Sequence, residues 1–150
     1  MSSVPPSPGA REGRAEGAAI SVMLIVPDAQ AAAAWYGRAL GAERLWDLGS
    51  VVGLQIGGAP FFLHEINPAN PGESSPADVG GTSTRIELFV DNPDAVMARA
   101  VTEGARVGSP IEDHETPWGL HRQGGFWDPF GHNWSVGDKS PIAPGTTSRG

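Results

Sequence analysis

The chain has 150 residues, with 17 acidic against 10 basic side chains and a formal net charge of −7; no basic run occurs, which excludes a nucleic-acid partner because a phosphate-binding surface needs clustered Lys and Arg. Cysteine is absent, which removes disulfides, thiolate nucleophiles and Cys-ligated zinc or iron–sulfur centres. The length suits one domain with a substantial core, and the longest apolar run, residues 22–26, is far too short to cross a bilayer, so a cytoplasmic protein without a membrane partner is expected.

In chain order, residues 1–18 hold Pro5, Pro6 and Pro8 and almost no large apolar side chain. Such a composition cannot offset the entropy of ordering and predicts a flexible tail. A strand over 20–26 runs into Asp28, whose side-chain oxygen suits a helix N-cap, and a helix over 29–40 closes at Gly41. Strands over 43–47, 51–56 and 61–66 follow, parted by Gly49-Ser50 and Gly57-Gly58 turns. Residues 67–82 carry Pro68, Pro71 and Pro76 among Gly and Ser and read as a linker. The second half repeats the first. A strand over 84–90 precedes Asn92 as cap and Pro93 at the first helical position, and a helix over 93–103 ends at Gly104. Strands over 107–113, 119–127 and 132–136 complete it, with Asp128-Pro129-Phe130-Gly131 as the last turn. Residues 139–150 read as a second tail. A unit of strand, cap, helix, glycine and three strands therefore occurs twice. The repeat predicts an α+β fold and one domain over 19–138, built from modules 19–66 and 83–138.

Two stretches carry a resemblance: Val26-Pro27-Asp28 with Trp35-Tyr36-Gly37-Arg38-Ala39-Leu40-Gly41-Ala42, and Trp127-Asp128-Pro129-Phe130-Gly131-His132-Asn133-Trp134. They resemble the paired motifs of the vicinal oxygen chelate superfamily, which contains glyoxalase I, bleomycin-resistance proteins and extradiol dioxygenases. The closing stretch is most similar to the bacterial glyoxalase and bleomycin-resistance type. The resemblance implies two βαβββ modules that form a curved, eight-stranded open barrel, with a small organic ligand on its concave face. It also implies a homodimer. In metal-binding members the ligands stand on the first and fourth strands of each module.

Laying one module on the other locates those positions. Asp28 matches Asn92, a shift of 92 − 28 = 64, so Ser21 matches Arg85 and Met23 matches Glu87. Strand side chains alternate between faces. Ile86, Leu88 and Val90 belong against the helices, which turns Arg85 and Glu87 to the concave side; a slip by one residue would bury both charges, at a cost of several kcal/mol (order of magnitude). By the same alternation Trp134 and Val136 leave Ser135 concave, and Phe61 and Leu63 leave Phe62 and His64 concave. The four ligand positions implied by the resemblance thus hold Ser21, Phe62, Arg85 and Ser135, a poor donor set for a divalent cation. No metal and no other cofactor is expected.

Other residues carry two readings each. His64 is either a polar pocket residue, able to act as a general base, or an exposed strand end. A displaced metal site on His64 and Glu87 is a further option, though two ligands hold a cation weakly. Arg85 and Glu87 either form an ion pair in a solvated groove or recognise an anionic or hydroxylated ligand. Trp35, Trp127 and Trp134 occupy motif positions and read as core, whereas Trp46 and Trp118 sit at strand or loop ends and could flank a pocket for planar ligands. The segment around Trp118 and Gly119 is one residue longer than the family pattern, so the sequence leaves open which of His121 and Arg122 faces inward. His132 reads as structural. No phosphate loop, zinc-protease helix or nucleophile elbow occurs, and Ser135 has no evident His–Asp partners for a triad. With these features, the resemblance implies a metal-independent small-molecule binder that sequesters or processes an antibiotic or aromatic metabolite. The alternative is a superfamily enzyme, an isomerase, lyase or ring-modifying catalyst, that uses His64, Glu87 or a displaced metal.

Overall fold

The computed structural model describes residue 13 and residues 15–141, so most of both expected tails lies outside the described residues. Strand β1 (Met23–Val26) leads into helix α1 (Ala29–Leu40), followed by β2 (Glu43–Asp47), β3 (Val51–Ile56) and β4 (Ala59–Glu65). A one-turn helix α2 (Pro76–Val79) precedes the second set: β5 (Arg85–Phe89), α3 (Pro93–Thr102), β6 (Arg106–Thr116), β7 (Gly119–Trp127) and β8 (Asn133–Gly137). The helices start where their caps demand. Asp28 accepts from the Ala31 N–H at 3.0 Å and Asn92 from the Ala95 N–H at 3.1 Å. Gly41, at φ 69°, closes α1 in the left-handed conformation, and its N–H and that of Ala42 turn back to Gly37 and Tyr36.

The strands fall into two four-stranded sheets, ordered β1-β4-β3-β2 and β5-β8-β7-β6, with the first strand of each parallel to the fourth. The result is an α+β fold of two βαβββ modules in a curved, open arrangement that does not close into a barrel. Helix α1 packs on α3 between the sheets. Its buried alanines, Ala29, Ala32, Ala33 and Ala39, allow close approach, and Trp35 Nε1 donates to the Glu103 carbonyl at 2.7 Å across the module boundary. One hydrophobic core spans both modules, with Tyr36, Phe61, Phe126 and Trp134 at its centre.

The first strand starts at Met23 rather than residue 20, because Ile20 is almost wholly exposed and has nothing to pack on. Residues 67–82 are not structureless: Ser75 and Pro76 are buried, and Gly80 closes α2 at φ 74°. Strand β6 is three residues longer than expected at its C-terminal end. The extra residues pair regularly with β7, His114 with His121 and Thr116 with Gly119, while the register shifts lie nearer the start of the strand, between Val107 and Ser109 and between Ser109 and Glu112.

Candidate functional site

In the first sheet, Leu24, Val26, Val52, Leu54, Phe61 and Leu63 are buried against the helices. The alternating residues Met23, Phe62 and His64 therefore lie on the opposite, concave face, where Met23 pairs with Phe62 and Ile25 with His64. Trp46 stacks on Phe62 with ring centroids 5.6 Å apart and 21° between planes. Gly53 makes this possible, since a Cβ there would stand 2.5 Å from the indole. The face is thus an aromatic wall. His64 Nδ1 meets the Glu65 carbonyl, and Ser21 is exposed just before the strand.

The second sheet offers a polar groove of about 420 Å³, lined by Arg85, Ser109, Glu112, Gln123, Asn133 and Ser135 among others. Arg85 Nη2 and Glu87 Oε2 form an ion pair at 3.3 Å, exposed on β5. Glu87 pairs across with Ser135, which is buried and accepts from Gln123 Nε2. Gln123 Oε1 faces His121 Nε2 at 2.8 Å, and His121 Nδ1 faces Asp138 Oδ1 at 3.2 Å. Asp138 also accepts from the Arg122 N–H at 2.9 Å. A partly buried relay thus runs from Asp138 through His121 and Gln123 to Ser135.

The sequence reading left His121 and Arg122 open, and the alternation of β7 separates them. His121 turns to the concave side, while Arg122 turns to the helices and clamps Asp94 at the start of α3 with bonds of 2.7 and 2.8 Å, and Asp113 at 3.3 Å. Asp94 first, then Asp113, push the Arg122 guanidinium pKa above arginine's ordinary value. Arg122 is therefore a brace between sheet and helix, away from the groove. Trp127, read from its motif as core, is instead half-buried and forms a wall of the groove with Arg106 over its ring. Trp118 sits in the β6–β7 turn, exposed and outside the lining of this groove, whereas Trp46 is on β2 of the other sheet. Gln123 and Asp138 had not been singled out in the sequence. The signal available was parity: Gln123 is two residues after His121 on one strand, and Asp138 immediately follows the last strand.

The four positions where family members carry metal ligands hold Ser21, Phe62, Arg85 and Ser135, and they do not fit a divalent cation. Phenylalanine has no donor, Arg85 is itself a cation, and the Ser135 hydroxyl is engaged by Gln123. His64 and Glu87 stand on different sheets. Among the described residues no group of three or more His, Asp or Glu side chains is arranged to hold a metal.

The family model for the Glyoxalase/Bleomycin resistance protein/Dioxygenase superfamily matches residues 19–136. The chain belongs to this superfamily. Within it, the uncharacterized protein Rv0887c of Mycobacterium tuberculosis is 38% identical over 130 residues, spanning 79% of this chain and 73% of that protein. The uncharacterized protein Mb0911c of Mycobacterium bovis is likewise 38% identical, over 82% of its length. The solved structure of TioX from Micromonospora sp. ML1 superposes with a TM-score of 0.63 at 26% identity, covering 81% of this chain and 98% of TioX. The fosfomycin resistance protein FosX from Mesorhizobium loti has a TM-score of 0.58 at 14% identity, covering 85% of this chain and 95% of FosX, a likeness of fold alone. No helix among the described residues is long and apolar enough to cross a membrane.

Proposed function

We propose that this superfamily member is a cytoplasmic, metal-independent binding protein for a small, planar organic molecule, an antibiotic or aromatic metabolite, held on its concave sheet faces. The observation that carries the reading is the donor set Ser21, Phe62, Arg85 and Ser135 at the family's metal positions, which suits ligand contact and not cation coordination. The aromatic wall of Trp46 and Phe62 supports stacking, and the groove around Arg85, Glu87, Gln123 and Ser135 supports polar recognition. These two half-sites lie on separate sheets. We therefore propose a homodimer in which the aromatic face of one chain closes over the polar groove of its partner, and exposed Met23, Leu45 and Trp46 favour such cover. The domain is taken as residues 19–138, in modules 19–66 and 83–138.

A second reading, acid–base catalysis within the same groove, is favoured by one observation, the His121–Asp138 pair, which is built like an oriented general base. A thermal-shift screen of planar aromatic compounds in EDTA separates the two readings. For a binder, stabilising compounds emerge without metal and are recovered unchanged, and Arg85→Ala or Trp46→Ala weakens them about tenfold or more while the unliganded midpoint moves by only a few degrees. Turnover of a hit that disappears in His121→Ala identifies the enzyme instead. A collapse of the unliganded midpoint in Arg85→Ala would make that residue structural.

A further inference from the structure

The hydrogen-bond chain Asp138–His121–Gln123–Ser135 can run in either of two senses, according to the protons on the His121 ring. Both ring nitrogens of His121 face acceptors, Asp138 Oδ1 at 3.2 Å and Gln123 Oε1 at 2.8 Å. An imidazolium, donating from both nitrogens, satisfies that arrangement. A neutral ring that donates to Asp138 leaves Nε2 as an acceptor, and the Gln123 amide must then turn over to donate to it. That reversal changes what Ser135 meets. Beside the imidazolium, Gln123 Nε2 donates to Ser135 Oγ, so the hydroxyl proton is available to a ligand. Beside the neutral ring, Gln123 Oε1 takes the hydroxyl proton, and Ser135 presents lone pairs.

We propose that His121 and Asp138 are positioning residues that set the hydrogen-bonding sense of the Gln123–Ser135 contact. The groove offers a donor to acceptor-bearing ligands while His121 is protonated, and an acceptor to donor-bearing ligands when it is neutral. The surroundings hold the ring in place for this role. A Cβ on Gly137 would stand 2.8 Å from His121 Cε1, Phe89 lies 6.3 Å away by ring centroids, and the Arg122 N–H anchors Asp138 at 2.9 Å. Asp138 faces His121 directly and is followed in the chain by Lys139; His114 is the cross-strand partner of His121 on β6, where Glu112 pairs with Gln123, and on β5 Glu87 pairs with Ser135 and with the Arg85 guanidinium. Arg122 is tied to Asp94 and Asp113. The consequence for ligands rests on the groove being a binding site; the relay itself does not.

NMR of the ¹⁵N-labelled full chain without ligand, from about pH 5 to pH 9, tests the relay. The Gln123 side-chain amide should shift with the same midpoint as the His121 ring nitrogens. His121→Gln should abolish the pH dependence at Gln123. A Gln123 amide that ignores the His121 transition, or that titrates in His121→Gln as it does in the wild type, overturns the proposal. Because no ligand is used, a negative compound screen would sink the binding reading and leave this result standing, so the two failures are told apart.

Discussion

Asp128 shows how much one side chain of the closing turn does. Its Oδ2 accepts from the Tyr36 hydroxyl and from Trp134 Nε1 at 3.0 Å, and its Oδ1 accepts from the N–H groups of Phe130 and His132, both at 2.9 Å. A buried carboxylate is tolerated only when so fully bonded. Tyr36→Phe removes one of these bonds and leaves the others, so it should cost about 2 kcal/mol in urea unfolding. Burial first, then the charge of Asp128, push the Tyr36 pKa well above 10, so the fold holds it neutral. The sign follows: the tyrosine contribution is complete below about pH 10, where the unfolded phenol is also neutral, and declines as pH rises beyond it. Alkaline unfolding followed by circular dichroism should therefore be steeper for wild type than for Tyr36→Phe. Tyr36 and Asp128 stood out in the sequence as motif residues, but their partnership across 92 positions did not. On β5 the exposure of Arg85 and Glu87 and the burial of Leu88 follow the alternation of the strand. The motif, not alternation, misplaced Trp127, which shares its parity on β7 with Gln123 and Gly125.

At the scale of elements, local signals marked what local forces hold. The strands Glu43–Asp47, Val51–Ile56 and Gly119–Trp127 stand where the intervening glycine turns required them. Asn92→Ala should cost about 1 kcal/mol of stability in denaturant unfolding, the ordinary value of a lost helix cap. Gly124→Ala should cost more, about 2–3 kcal/mol. A Cβ there would stand 2.7 Å from the Ser109 carbonyl and 2.8 Å from Ile111 N, backbone atoms of the irregular β6 that cannot move aside. That contact crosses between strands, which is why nothing in the local sequence announced it. The same holds for α2, whose Pro-rich composition reads as linker and which is ordered by burial of Ser75 and Pro76.

On the scale of the whole molecule, the duplicated unit made the architecture legible, because each module repeats the same order of caps, helix and strands. The proposed composite site was not legible, since its two halves lie on different sheets and the proposal joins them across two chains. Sedimentation should return twice the 15.6 kDa chain mass at micromolar concentration, and a monomer under those conditions would contradict the composite cavity. Binding without a metal is the central claim, and its most direct measurement is the Kd of the first compound to emerge from the screen, determined by calorimetry before and after exhaustive dialysis against EDTA. The two values should agree within experimental error, with less than a tenth of an equivalent of any transition metal in the starting protein (an order-of-magnitude threshold). Loss of binding on dialysis, restored by one equivalent of nickel, zinc, iron or manganese, would contradict it.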